Sequence, residues 1–374
     1  MNAVKWVKIW FIIVLGIFGT IGIFNFIIDP YGFNKVVIID GINKIKEDNT
    51  RFPFKYKIPL VQKGGWNNLM LGTSKIGVMD TKPVDELLGG KTFNLSLPAS
   101  TVTSQYDAFM YAVKYNHIKN VIYGIDFLSL NKNLKLNDNY LQFRETLRSY
   151  KSFYNYDIYL NFDTLKTSLK TIQNNRSENP KMYPYFSMSG VRHYANFVQL
   201  AKRPGFDMQK RIHKLLQEFF RDWVYADYEF STEEMYLFSK IVAYCHTHDI
   251  NMYVYIPPMY VDHFYAIKEA GLKDEFETFK RELAKITDYV DFTGVNTVTK
   301  NPNNFWDSTH LRIETTPIIM KNVIRDQNRR TDENIGVLVS KKNIEEYLKS
   351  QAKQYQKIDL KKIFDENLKD VISF

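Results

Sequence analysis

Residues 303 to 312 read NNFWDSTHLR, with Asp307 three positions before His310 in a chain that holds only seven histidines. A carboxylate and an imidazole on one short loop are two parts of a nucleophilic triad. The acid holds one ring nitrogen, and the other nitrogen takes a proton. The missing part is a hydroxyl or thiol that needs such a base. Ser74 offers a hydroxyl. It stands after Gly72 and Thr73 in LMLGTSKIGVMD, where an apolar run stops and a glycine lets the chain turn. A helix beginning there would aim its free amides and dipole at a developing oxyanion. Taken singly, G-T-S is an ordinary turn and D-x-x-H an ordinary surface pair. Their order along the chain, Ser then Asp then His, is what joins them as acyl-transfer chemistry.

The elements that must position these residues are short apolar runs. WNNLMLG (66–72), NVIYGIDF (120–127), NMYVYIPP (251–258) and DYVDFTG (288–294) have the length and β-branched or aromatic content of buried strands. Helical spacing fills the intervals in SQYDAFMYAVKY (104–115), STEEMYLFSKIVAYCHTHD (231–249) and KDEFETFKRELAKI (273–286). Ser231 with Glu234 three residues later reads as a capping box. Strands alternating with helices predict an α/β three-layer sandwich with a mostly parallel central sheet, flavodoxin-like in type. Ligands then bind beyond the carboxyl ends of the strands, which is where Ser74, Asp126, Asp307 and His310 all fall. Residues 131–230 break the rhythm and read as a helical, aromatic insertion, a lid or cap. From residue 331 to 374 the chain is charged and reads as a helical peripheral appendage.

Lys5 and Lys8 precede an apolar run from Ile9 to Ile28 that only Thr20 and Asn25 interrupt with polar groups. Roughly 20 helical residues cross a bilayer core of about 30 Å. The positive charge before the run exceeds that soon after it, which orients residues 1–8 to the cytoplasm and residues 29–330 outside. Bulky Phe24, Phe26 and Ile27 stand where a signal-peptide cleavage site needs small residues, so an uncleaved single-pass anchor at 9–28 is expected. The net charge of +9 favours anionic surroundings such as an acidic polymer or lipid headgroups. No Lys/Arg cluster accompanies a nucleic-acid motif, so nucleic acid is not expected as a partner. The single cysteine, Cys245, excludes an intramolecular disulfide and reads as a small buried thiol on a helix. His246 and His248 sit at a helix C-terminus, where a cation complements the dipole. His193 and His213, close in sequence to Arg192 and Arg211, suggest a basic solvated surface or an anion-facing lid. No residue set calls for a metal or cofactor.

LMLGTSKIGVMD resembles the first block of the SGNH/GDSL hydrolase superfamily, in the membrane-anchored branch of DltD-like and AlgJ/AlgX-like polysaccharide O-acetylation proteins. FNLSLPAST (93–101) resembles the second block, VIYGIDFLSLN and VYIPP two later strands, and FWDSTHLR the terminal D-x-x-H block. IIDPYG after the anchor fits the same branch. The likeness is collinear over about 66–131 and 251–312 and leaves out the insertion and the tail. It implies Ser74 as nucleophile, His310 as base and Asp307 as its orienting acid. It further implies an acyl-serine intermediate, acetyl or other short acyl esters of a cell-envelope polysaccharide as substrate, and a membrane-bound O-acyltransferase as acyl-donating partner. The superfamily's oxyanion hole uses the nucleophile amide with a Gly amide and an Asn side chain. This chain departs there, with Asn94, Ser96 and Ala99 in the second block and Asp126 in the third. Gly72, the Ser74 amide, Asn94 and a backbone amide near Ser100 remain as candidates around the hole, and Asp126 as a structural cap. Those departures also motivate a second reading, a catalytically idle glycan-binding or assembly scaffold of an envelope acylation system.

Overall fold

The structure, a computed structural model, describes residues 3–152, 156–324, 332, 334–366 and 368. The chain forms two compact units.

The first unit takes in Met1–Pro59, Ser152–Phe186 and His193–Arg203. Its apolar helix, Ala3–Ile28, has a mean hydropathy of 2.5 and only 17% of its apolar window buried. It is long and apolar enough to cross a membrane, and its surface is unlike that of a core helix. Asn25, one of the polar breaks, is fully buried. Its amide donates to the carbonyls of Tyr159 and Asn161 at 2.8 and 3.2 Å and its oxygen accepts from Ser168 Oγ at 2.9 Å. A buried amide is tolerated when both of its ends are hydrogen-bonded, so this helix is fastened to Phe162–Asn175 by a polar rivet.

The second unit, Leu60–Lys151, Ser187–Arg192 and Pro204–Phe374, carries the main sheet. In chain order the strands are β1 (Asn68–Gly72), β2 (Thr92–Asn94), β3 (Asn120–Gly124), β4 (Tyr185–Phe186), β5 (Arg192–His193), β6 (Asn251–Ile256), β7 (Tyr289–Asp291) and β8 (Val337–Val339). Six of them form the sheet in the order β2-β1-β3-β6-β7-β8, and β4 and β5 lie outside it. The first five are parallel and β8 is antiparallel to β7. β1 and β3 are buried at every residue, as strands covered on both faces must be. Alternation along β3 shows both coverings. The Tyr123 ring meets Phe238 at 5.1 Å and its hydroxyl bonds Gln105, whereas Gly124 on the opposite face lies against Ile76 and the Tyr255 ring. The order of the five parallel strands reverses at β1 and β3, the doubly wound arrangement whose ligand crevice opens at that switch point.

All four expected strands and the three helices between them form, within a few residues of their expected limits. Two strands of the sheet were not expected. β2 and β8 have three residues each, too few to show a period. The charged segment after residue 331 is no peripheral appendage: β8 extends the sheet, and the helix Ile344–Ala352 buries Tyr347, Leu348 and Gln351. Tyr347 and Gln351, with Thr293, close over Lys280, which is fully buried with its Nζ 2.8 Å from Asp291. The expected insertion is divided as well. Residues 152–186 and 193–203 belong to the first unit, the remainder of 131–230 to the second. The capping box is half formed. Ser231 Oγ accepts from the Glu234 amide at 3.2 Å, but the Glu234 carboxylate accepts from the amide and hydroxyl of Thr103 at 2.6 and 2.7 Å. Cys245 is buried, and burial pushes its thiol up to about 12.

Candidate active site

At the end of β1 the chain must turn without colliding with β3. Gly72 holds φ +138, and a Cβ there would stand 2.4 Å from the Gly124 carbonyl oxygen and 2.5 Å from Ile76 Cγ1. Glycine is the residue that fits. Thr73 then caps a single helical turn, Ser74–Gly77, and its Oγ1 accepts from the Lys75 amide. The same hydroxyl donates to Asp126 Oδ2 at 2.8 Å, while Lys75 Nζ donates to Asp126 Oδ1 at 2.9 Å. Lys75 and Asp126 are 3% and 2% exposed, so this is a buried ion pair across the switch point. Asp126 also caps the turn Phe127–Leu130 through the Leu128 amide. Its carboxylate is an acceptor that clamps the exit of β1 to the exit of β3.

Asn94, at the end of β2, spends its amide hydrogens on the carbonyls of Ile76 and Met79, at 2.8 and 3.1 Å. It braces the Ser74 turn from behind. Ser100 Oγ donates to the Leu97 carbonyl at 2.6 Å and accepts from Gln105 at 2.8 Å. Ala99 sits at φ 48, a left-handed conformation usual for glycine. Leu97 N donates to the Gly72 carbonyl at 2.8 Å, which ties this loop beside the turn. Among the described residues no acceptor takes the backbone amide of Ser74, Ala99 or Ser100.

The third contribution comes from the loop after β7. It is anchored by Phe305, which is fully buried, and by Trp306, over whose ring the Arg312 guanidinium lies at 4.6 Å. Trp306 N donates to the His310 carbonyl at 2.8 Å and Tyr260 N to the Ser308 carbonyl at 2.9 Å. Asp307 Oδ1 accepts from the amides of Thr309 and His310 at 2.8 and 2.9 Å, and its Oδ2 lies 2.8 Å from His310 Nδ1. His310 Nε2 lies 2.8 Å from Ser74 Oγ. The structure thus brings Ser74, His310 and Asp307 into one hydrogen-bonded chain. With the Nδ1 proton directed to Asp307, Nε2 is left to accept the Ser74 proton. Burial alone would raise the Asp307 carboxyl; His310, the Arg211 guanidinium and the Thr309 amide outweigh it and hold the group well below the usual carboxylate range.

Two contributors were not anticipated. Arg211, expected on a solvated surface or lid, is 2% exposed and places its charge near Asp307. His213 from the same helix pairs with Glu366, Nδ1 to Oε2 3.0 Å. His263 is fully buried beneath the loop, with Nδ1 3.0 Å from Ser308 Oγ and the rings of Phe219, Phe220 and Tyr225 around it. Burial, then the charges of Lys75 and His310, drive its pKa well down against the pull of Asp307, so it stays neutral. Arg211 comes from a segment far from the motifs in sequence and His263 from the helix that follows VYIPP, and neither carries a local signal.

A cavity of about 680 Å³ reaches from Ala99 to Asn137, Trp223 and Asp227. Among the described residues no group of His, Cys, Asp and Glu side chains gathers as a metal site. No protein-family model matches the chain, and no curated protein matches it.

Proposed function

We propose that this chain is a membrane-anchored, extracytoplasmic serine esterase or O-acyltransferase of the SGNH type, acting on acyl esters of an envelope polysaccharide. The observation that carries the reading is the continuous chain from Asp307 through His310 to Ser74, with 2.8 Å at each link. Ser74 Oγ bonds to the ester carbonyl carbon as His310 Nε2 takes its proton. The oxyanion meets the Ser74 amide and an amide of the Ala99–Ser100 turn. His310 then protonates the departing alkoxide and an acyl-serine remains. Water or a sugar hydroxyl, deprotonated by the same nitrogen, attacks that ester and releases Ser74. The acceptor glycan would lie in the cavity beside Ala99, where Trp223 offers a stacking face and Asn137 and Asp227 offer polar partners. Lys5 and Lys8, in the first turns of the helix and ahead of its apolar run, support retention of the N-terminus inside and residues 29–330 outside. A membrane-bound O-acyltransferase as acyl donor fits that placement.

One observation favours the second reading, an idle scaffold. The Asn94 and Asp126 side chains are committed to internal partners, so the oxyanion donors would be backbone amides alone. Hydrolysis of p-nitrophenyl acetate by the full chain in detergent separates the two. The enzyme reading expects turnover that Ser74→Ala lowers at least 1,000-fold, to the order of what remains when a triad member is lost. Turnover unchanged by Ser74→Ala, or none at all, leaves the scaffold.

A further inference from the structure

We infer that the first unit carries a headgroup site for an anionic phospholipid at the outer end of its apolar helix. The inference rests on the reading that Ala3–Ile28 spans a membrane. Residues 29–49 fold back over the end of that helix. Asn43 Nδ2 donates to the carbonyls of Ile27 and Ile28 at 3.1 Å each, and Lys46 Nζ donates to that of Ile28 at 2.9 Å. These last-turn carbonyls have no partner within the helix and need one. Next to them Val36, Ile38 and Ile39 are 67%, 61% and 40% exposed. An apolar cluster open to solvent at the end of a membrane helix belongs at the lipid interface.

Beside this cluster lies a cavity of about 370 Å³, walled by Lys35, Lys44, Lys46, Ile38, Tyr183 and Tyr185. Among the described residues its lining holds no carboxylate. The acids behind and around it are already engaged. Asp29 is fully buried, accepts from the amides of Phe33, Asn34 and Lys35 and lies 4.0 Å from Lys46. Asp40 pairs at 3.3 Å with Lys44, on an exposed flank. Glu47 is hydrogen-bonded by Tyr183. Burial lowers the affinity of both Lys35 and Lys46 for their protons, and Asp29 only partly restores it. Three lysines therefore surround a space whose remaining wall is largely apolar or aromatic, beside the outer end of the apolar helix. Free phosphate would satisfy the lysines but leave Ile38 and its neighbours exposed. A lipid satisfies both.

The test titrates the full chain in detergent with phosphatidylglycerol, phosphatidylcholine and inorganic phosphate, with bound ligand counted by native mass spectrometry. Lys46 is left intact because it caps the helix. Phosphatidylglycerol should bind in preference to phosphatidylcholine. Lys35→Gln with Lys44→Gln should weaken it about 25-fold, or about five-fold per lysine removed. Should the double variant fail to fold, Lys44→Gln alone, at a residue whose side chain is 63% exposed, should still give the five-fold loss. Equal binding of the two lipids, or a preference the variants leave unchanged, overturns the site. Inorganic phosphate that displaces the lipid and binds as well overturns the lipid assignment. Release of the chain from membranes by alkaline carbonate would instead overturn the membrane span itself.

Discussion

A serine hydroxyl is a poor nucleophile until a base takes its proton, and His310, the base in the proposed reading, is held by a single carboxylate. Asp307 accepts two amides and the His310 ring, so replacing it should misdirect the imidazole while leaving Ser74 in place. Asp307→Asn should cut ester turnover about 10⁴-fold, read from steady-state hydrolysis. It should also change acid stability in a defined direction. Folding holds the carboxyl below its ordinary value of 3.8, so its ionised form contributes stability that is complete above that value. The contribution is lost as pH falls below it toward the folded value, and Asp307→Asn should lack that acid limb in denaturant titrations across pH. At this scale the sequence was informative, because Asp307 and His310 share one loop and Ser74 follows directly on a strand's end. Arg211 and His263 were not legible. They arrive from separate helices, and nothing near them in sequence tells a buried supporting charge or imidazole from a surface one.

Three loops have to meet for this chemistry, and the Lys75–Asp126 pair joins two of them. Both groups are out of water, so removing one partner strands the other. Asp126→Ala should cost about 3–5 kcal/mol in denaturant unfolding and lower activity with it, since Thr73 loses the same acceptor. Lys75→Met combined with Asp126→Leu should recover much of the stability, because no buried charge is left unpaired. Stability of the double variant at or below that of Asp126→Ala would show that the pair is not the clamp. The strands that frame these loops were readable as apolar runs bounded by Gly, Pro or polar residues. β2 and β8 were not, since three residues cannot display alternation. The Ser231–Glu234 pattern foretold where a helix starts, but tertiary contact drew the Glu234 carboxylate to Thr103.

At the scale of the whole molecule, the charged tail is structural to the unit that holds the site. Its strand β8 covers the edge of β7, and its helix lends Tyr347 and Gln351 to the shell around Lys280. A chain ending at residue 330 should uncover a hydrogen-bonding strand edge and a buried cation. It should accumulate as insoluble or protease-sensitive protein, scored by soluble yield and limited proteolysis against the full chain. The tail's composition masked this role, because Tyr347, Leu348 and Gln351 form a narrow buried stripe among many charges. The apolar helix, by contrast, was plain from length and hydropathy alone. The division of residues 131–230 between two units was hidden, since it depends on contacts with residues distant in sequence.

The central claim is that this fold activates one hydroxyl, that of Ser74. A fluorophosphonate reacts with a serine in proportion to that activation, whatever the natural ester. Incubating the full chain with the reagent and mapping the adduct by peptide mass spectrometry tests the claim without knowledge of the substrate. A single adduct on Ser74, absent when His310 is replaced by Ala, is the expected result. An unlabelled Ser74, or labelling that persists in His310→Ala, would contradict it.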